Sequence, residues 1–131
     1  LFDYLFNWNL TLQSMLGFLF QPIAFLIGIP WNESALVGQL LGEKMVINEF
    51  VAYIHLLDYM KEGVLSDRSI AICTYALCGF ANFSSIAIQI GGIGALEPSR
   101  RADFAKCGLK ALIGATLSGF MTACMAGILI S

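Results

Sequence analysis

Of 131 residues, 58% are hydrophobic and only 12% are charged, and the mean hydropathy is +0.78. Soluble domains use roughly 25% charged residues, so this is the composition of a membrane protein. A formal net charge of -2 without any basic, aromatic-interleaved patch argues against nucleic acid as a partner, while four cysteines lacking Cys-x-x-Cys spacing and a single histidine argue against a metal or redox centre.

A bilayer span needs about 20 apolar residues, so the length admits two full spans and one or two shorter hairpins. The chain opens inside an apolar run without an initiator Met or a signal sequence, and is expected to be the C-terminal part of a longer polypeptide. Its first residues interleave Phe2, Tyr4, Phe6 and Trp8 with Asp3, Asn7 and Asn9, an interfacial composition. Residues 12–31 are apolar from Met15 to Ile29, short for a span and interrupted by Pro22, which predicts an interfacial or kinked helix. Asn32 is placed to cap a helix through Leu41. About 10 residues at a rise of 1.5 Å reach half a bilayer, so the chain must turn between Gly42 and Asn48 and return over Asn48 to Asp58. Residues 32–60 are thus expected as a re-entrant helical hairpin, which is tolerated where its tip lines a cavity.

After the polar loop Lys61 to Arg68, with Ser66 or Asp67 as cap, residues 67–94 read as a full-length span, continuous from Ser69 to Gly92. At helical spacing it aligns Tyr75, Cys78, Asn82, Ser85 and Gln89 on one polar face, with Gly79, Gly91, Gly92 and Gly94 as points where the helix could loosen. Glu97 to Lys110 holds four of the seven basic residues, including Arg100 and Arg101, so the positive-inside rule makes it a cytoplasmic loop. Residues 103–130 hold the last span, from Gly108 to Ile130. There Ala111, Ala115, Gly119, Ala123 and Gly127 recur every fourth position and predict close helix packing. The fold class is an all-α membrane protein, a re-entrant helical hairpin plus two transmembrane helices, as a fragment of a larger polypeptide.

Glu49 and Asn82 carry the chemistry. A charged or amide group at membrane depth costs about 2–3 kcal/mol or more unless it faces a partner or a cavity. Glu49 stands at the start of the return arm, where a helix N-terminus stabilises a carboxylate. Facing an amide and the Ser85 hydroxyl, it suits a neutral polyhydroxylated solute such as a sugar or ribose ring. Two other classes were weighed. A membrane-embedded enzyme would have Glu49 and His55 as its acid–base pair, with no nucleophile or metal set beside them. A structural or assembly subunit would use the Tyr75 to Gln89 stripe as interhelical glue. His55 itself reads as a hydrogen-bonded interface residue, and the cysteines as small hydrophobes.

Two motifs also carry a resemblance. Gly42, Glu43 and Lys44 with Asn48 to Tyr53 (Asn-Glu-Phe-Val-Ala-Tyr), and then Ala76 to Ser85 (Ala-Leu-Cys-Gly-Phe-Ala-Asn-Phe-Ser-Ser) with Gly91, Gly92 and Pro98 to Arg101, resemble the signature of the concentrative nucleoside transporter family. The likeness runs from about Leu12 to the C-terminus. It implies a cation-coupled nucleoside symporter of the plasma or bacterial inner membrane, multi-pass and in contact with lipid, working by an elevator movement. This chain would supply its second hairpin and last two spans. By the same resemblance Glu49, Asn82 and Ser85 bind the ribose, Phe80 lies beside the nucleoside, and Lys44 and Asn48 support the hairpin tip. No catalytic residue, metal ligand or cofactor falls in this portion. The sodium ion (or proton) that couples transport would bind the rest of the same transporter, which is a homotrimer when full-length.

Overall fold

The computed structural model describes residues 11–130. The aromatic segment Phe2 to Asn9, expected at the membrane interface, lies outside the described residues. All regular structure among the described residues is helical, as expected: α1 (Leu12–Leu26), α2 (Trp31–Val46), α3 (Glu49–Glu62), α4 (Asp67–Leu77), α5 (Phe83–Leu96), a 3₁₀ turn (Pro98–Arg100) and α6 (Arg101–Leu129).

Thr11 caps α1, its hydroxyl accepting from the Ser14 amide at 3.2 Å while Ser14 Oγ accepts from the Thr11 amide at 3.0 Å. Pro22 sits inside α1 without ending it. The chain then turns through Ile27 to Pro30, and α2 leaves at 118° to α1. The two helices approach backbone to backbone. A Cβ on Gly38 would stand 2.7 Å from the Gly17 carbonyl oxygen, and one on Gly42 would stand 2.5 Å from Leu16 Cβ.

That contact corrects the expected hairpin. Asn32 does not cap α2, because Pro30 takes the cap position and Asn32 lies in the first turn. The turn falls at the far end of the expected interval Gly42 to Asn48, and Gly42 itself is helical. Its lack of a side chain serves packing against α1, and α2 continues through Val46, about 24 Å at helical rise. The turn is only Ile47 and Asn48, and α3 returns from Glu49. Asn48 caps α3 by accepting from the Val51 amide at 3.0 Å.

The expected continuous span from Ser69 to Gly92 is likewise two helices. α4 ends at Leu77, Cys78 to Asn82 are non-helical, and α5 begins at Phe83. Gly79 adopts φ +108°, a conformation that glycine takes without the steric penalty a Cβ brings. Asn82 accepts from the Ser85 amide as the N-cap of α5, so its side chain competes with a continuing helix. The stripe from Tyr75 to Gln89 is therefore not one helical face.

α6, with 29 residues, reaches about 43 Å at helical rise. With the turn before it, it is the one helix among the described residues long and apolar enough to cross a membrane. Only the C-terminal part of the small-residue stripe packs on α4 as the spacing predicts: Ala123 is fully buried and a Cβ on Gly127 would lie 2.9 Å from Ile72 Cδ1, whereas Ala111 and Ala115 are exposed. Arg68 ties three elements together, donating to the Gly28 carbonyl at 2.8 Å and the Gly127 carbonyl at 3.0 Å. The core gathers around α2 and α4 through Val37, Leu40, Leu41, Ile72, Cys73 and Leu77. Phe18, Leu26, Ile88, Leu96, Met121 and Leu129 stay exposed, an apolar outside that fits lipid or further protein rather than water.

Candidate functional site

The hairpin turn and the break between α4 and α5 meet. Glu49, first residue of α3, accepts from Asn82 Nδ2 at 2.7 Å across that junction. Asn82, only 2% exposed, uses its other atom as well: Oδ1 accepts from the Ser85 amide at 2.7 Å and from the Ser85 hydroxyl at 2.9 Å. This division of labour fixes the orientation of the amide, since only Nδ2 can donate to a carboxylate. Ser84 closes the junction from the other side, its hydroxyl donating to the Ile47 carbonyl at 3.3 Å. The first residue of α3 and the cap residue of α5 thus meet at one half-buried carboxylate.

The break is supported from below. A helix end leaves its last carbonyls without amide partners, and in an apolar setting those must be satisfied by other groups. Tyr53 of α3 donates its hydroxyl to the Thr74 carbonyl at 2.8 Å, and Lys44 of α2 donates to the Ala76 carbonyl at 2.9 Å and approaches that of Cys78 at 3.5 Å. Lys44 is therefore not at the hairpin tip, where it was expected, but buried in the last turn of α2 beneath the break. Tyr53 and Ser84 escaped the reading of the sequence. The available signal for Tyr53 was its place one turn after Glu49 on the same helix, with a hydroxyl that needs a partner.

Phe80 is 80% exposed on the non-helical segment. With Asn82, Ser85 and Gln89 it forms one wall of a cavity of about 90 Å³, whose other wall is Gly108, Ala111, Leu112 and Ala115 of α6. Ligand clefts commonly enclose roughly 300–1,000 Å³, so this cavity alone is smaller than one, and Glu49 is not among its lining residues. Gln89, one turn beyond Ser85, lines the same cavity.

A second polar cluster occupies the flank of the hairpin. His55 Nδ1 lies 2.6 Å from Glu43 Oε2, and the Tyr59 hydroxyl donates to Gln39 Oε1 at 2.7 Å. His55 is satisfied, as expected, but by Glu43 and not by Glu49, so the acid–base pair that an enzyme would have needed does not form. Among the described residues no group of three or more His, Cys, Asp or Glu side chains could hold a metal ion, and Cys73, Cys78, Cys107 and Cys124 are all unpaired.

Comparison with known proteins decides the family. The family described as "Na+ dependent nucleoside transporter C-terminus" matches residues 1–127. The chain belongs to the sodium-dependent nucleoside transporters. Within that family it is 50% identical over 122 residues to the uncharacterized transporter YutK of Bacillus subtilis, covering 93% of this chain and 30% of that protein. It is 45% identical over 125 residues to the nucleoside permease NupC of Helicobacter pylori, with the same two coverages, and 43% identical over 144 residues to human solute carrier family 28 member 3, of which it covers 20%. The fold matches CNTnw solved in an inward-facing substrate-bound state, at 49% identity and a TM-score of 0.85 over 91% of this chain and 29% of that one. It also matches CNTnw in an outward-facing state, with a TM-score of 0.88 at 46% identity over 95% of this chain and 31% of that one. The chain thus spans about a third or less of the transporters it matches. Those relatives are described as a transporter, a permease and a solute carrier, none as an enzyme.

Proposed function

We propose that this chain is the ribose-binding part of a multi-pass, sodium-coupled nucleoside symporter, with Glu49, Asn82 and Ser85 holding the sugar hydroxyls and Phe80 lying against the nucleoside. The observation that carries the reading is the 2.7 Å bond from Asn82 to Glu49 across the junction of two separate segments. A vicinal diol can donate to the carboxylate and accept from the amide, replacing this bond without unfolding a helix. Lys44 and Asn48 act in support, the one on the break and the other as cap of the helix that begins with Glu49. Base recognition and the sodium ion belong to the remaining length of the transporter, which we take to assemble as a homotrimer with lipid on its exposed apolar faces. An inward-facing and an outward-facing CNTnw structure that both resemble this chain support alternating access by an elevator-like shift of the unit as a block.

Uptake of labelled uridine by the full-length transporter tests the activity. Sodium-dependent accumulation of unconverted uridine is expected, and its absence overturns the proposal. Accessibility tests the motion, in a background lacking the native cysteines. A single cysteine replacing Asn48 should react from outside in one state, be protected by nucleoside and become reachable from inside in another. A cysteine replacing Ser99 should react only from inside. Labelling of the Ser99 position from outside would refute the topology, and constant reactivity at Asn48 would refute the motion.

A further inference from the structure

We infer that Lys44 is a tethered cation: its ammonium fills a monovalent-cation cradle formed by the terminal carbonyls of α4 and thereby positions the broken segment that presents Asn82 and Ser85. The inference rests on the proposed nucleoside site and adds a positioning residue and a latent ion site to it. Where α4 stops, the Tyr75 carbonyl is taken by the Cys78 amide at 3.2 Å and the Thr74 carbonyl by Tyr53. The carbonyls of Ala76 and Cys78 converge instead on Lys44 Nζ, at 2.9 and 3.5 Å.

Three features make this more than a packed lysine. The residue is only 3% exposed and no carboxylate among the described residues lies within ion-pair distance, so the direct partners of the ammonium are carbonyl oxygens, with the Glu49 carboxylate acting on it from farther off. The end of a helix carries partial negative charge, the polarity that a cation seeks. The third wall of the cradle is Gly119 of α6, whose Cβ position lies 3.8 Å from the Cys78 oxygen, 3.9 Å from Lys44 Nζ and 4.0 Å from the Ala76 oxygen. Gly119 itself places no side chain there. Carbonyl oxygens around an enclosed point are the ligands that alkali ions and ammonium share, and the four-carbon stem of lysine delivers such a charge without an ion having to bind. Removing stem and charge together should leave oxygens and space for a small free cation, whereas replacing the ammonium by a thioether of similar length leaves the space filled.

The test is uridine affinity of the purified full-length transporter at fixed sodium, with choline, potassium, ammonium or methylammonium as the added cation. Lys44→Ala should weaken affinity about tenfold or more in choline, the scale of a lost charge-assisted contact at a buried site, and added ammonium or methylammonium should restore most of it. Lys44→Met should be weakened and unresponsive, and the parent unresponsive. Thermal unfolding supplies a second readout, in which ammonium raises the Tm of Lys44→Ala and not that of the parent. A Lys44→Ala protein that binds like the parent, or that is weakened or unfolded to the same extent in every cation, overturns the cradle. Glu49→Gln separates the two levels. If it binds uridine normally, the nucleoside site itself is misread; if it loses affinity while Lys44→Ala fails its test, only the cradle falls.

Discussion

Glu43 and Glu49 lie six positions apart on one apolar hairpin, and the structure uses them differently. Glu43 is 3% exposed and bonded to His55, so both partners belong to the two arms of the same hairpin. Glu49 is half-buried at the turn and bonded to Asn82, which belongs to a segment more than thirty residues on. Exchanging the partner of Glu43 would open the inside of the hairpin. Exchanging the partner of Glu49 separates two surfaces whose own helices stay capped, because Asn82 still accepts from the Ser85 amide and Asn48 from the Val51 amide. Residue type does not tell a staple from a binding group here; what matters is whether the bond lies within one packed unit or between two.

The sharpest way to break this comparison is to neutralise each carboxylate in the full-length transporter. Glu49→Gln should reduce uridine affinity about tenfold or more, since a hydrogen bond to a charged group is worth about 1.5–3 kcal/mol, with little change in thermal stability. Glu43→Gln should leave affinity within about threefold and lower the Tm by several degrees, as a buried bonded group loses its charge. Isothermal titration and thermal unfolding read the two effects separately. Equal loss of affinity in both variants would abolish the distinction.

A double-mutant cycle in uridine binding is the next test. Groups that share one ligand couple by about 0.5–3 kcal/mol, so Glu49→Gln and Asn82→Ser should be non-additive. Serine at position 82 retains an N-cap oxygen, which keeps the loss of α5 capping out of the measurement. Glu43→Gln with Asn82→Ser should be additive within about 0.5 kcal/mol. Full additivity between Glu49 and Asn82 would separate them into different sites.

How much of this was legible follows from what each signal measures. The helical class, the paired helices α2 and α3, the position of Glu49 at the start of its return arm and the close packing of the last helix around Ala123 and Gly127 came through, because apolar runs and small-residue spacing are local. The break at Cys78 to Asn82 did not, since a hydropathy window averages over it and the 24 residues from Ser69 to Gly92 are apolar enough for a span. Its markers were Gly79 and Asn82, and Asn82 was read as a binding residue although it is also a cap. Gly42 only bounded the turn, because a glycine that admits a neighbouring helix looks in sequence like one that turns the chain. The partners of Lys44 and Tyr53 were not legible, since they are carbonyls that become available only once α4 has ended. The polar residues point to a sugar or ribose ring, and the family resemblance narrowed that to a nucleoside, which no residue spacing encodes.

Two tyrosines one and a half turns apart on α3 give the finest form of the comparison. Tyr53 donates to the Thr74 carbonyl at the break and Tyr59 to Gln39 on the hairpin flank, so the same deletion of a hydroxyl can be made in both regions. A neutral hydrogen bond contributes about 0.5–1.5 kcal/mol, so either Tyr→Phe change should be small. Tyr53→Phe leaves a carbonyl of the break with one partner fewer and should weaken uridine binding about two- to fivefold, by loosening the segment that carries Asn82. Tyr59→Phe should cost stability of the same order and leave binding unchanged, because Gln39 and Glu43 lie within the packed pair α2 and α3. If Tyr53→Phe changes only the Tm, the break needs no carbonyl ligand to hold its binding geometry, and the boundary between the two regions must be drawn tighter, around Glu49, Asn82 and Ser85 alone.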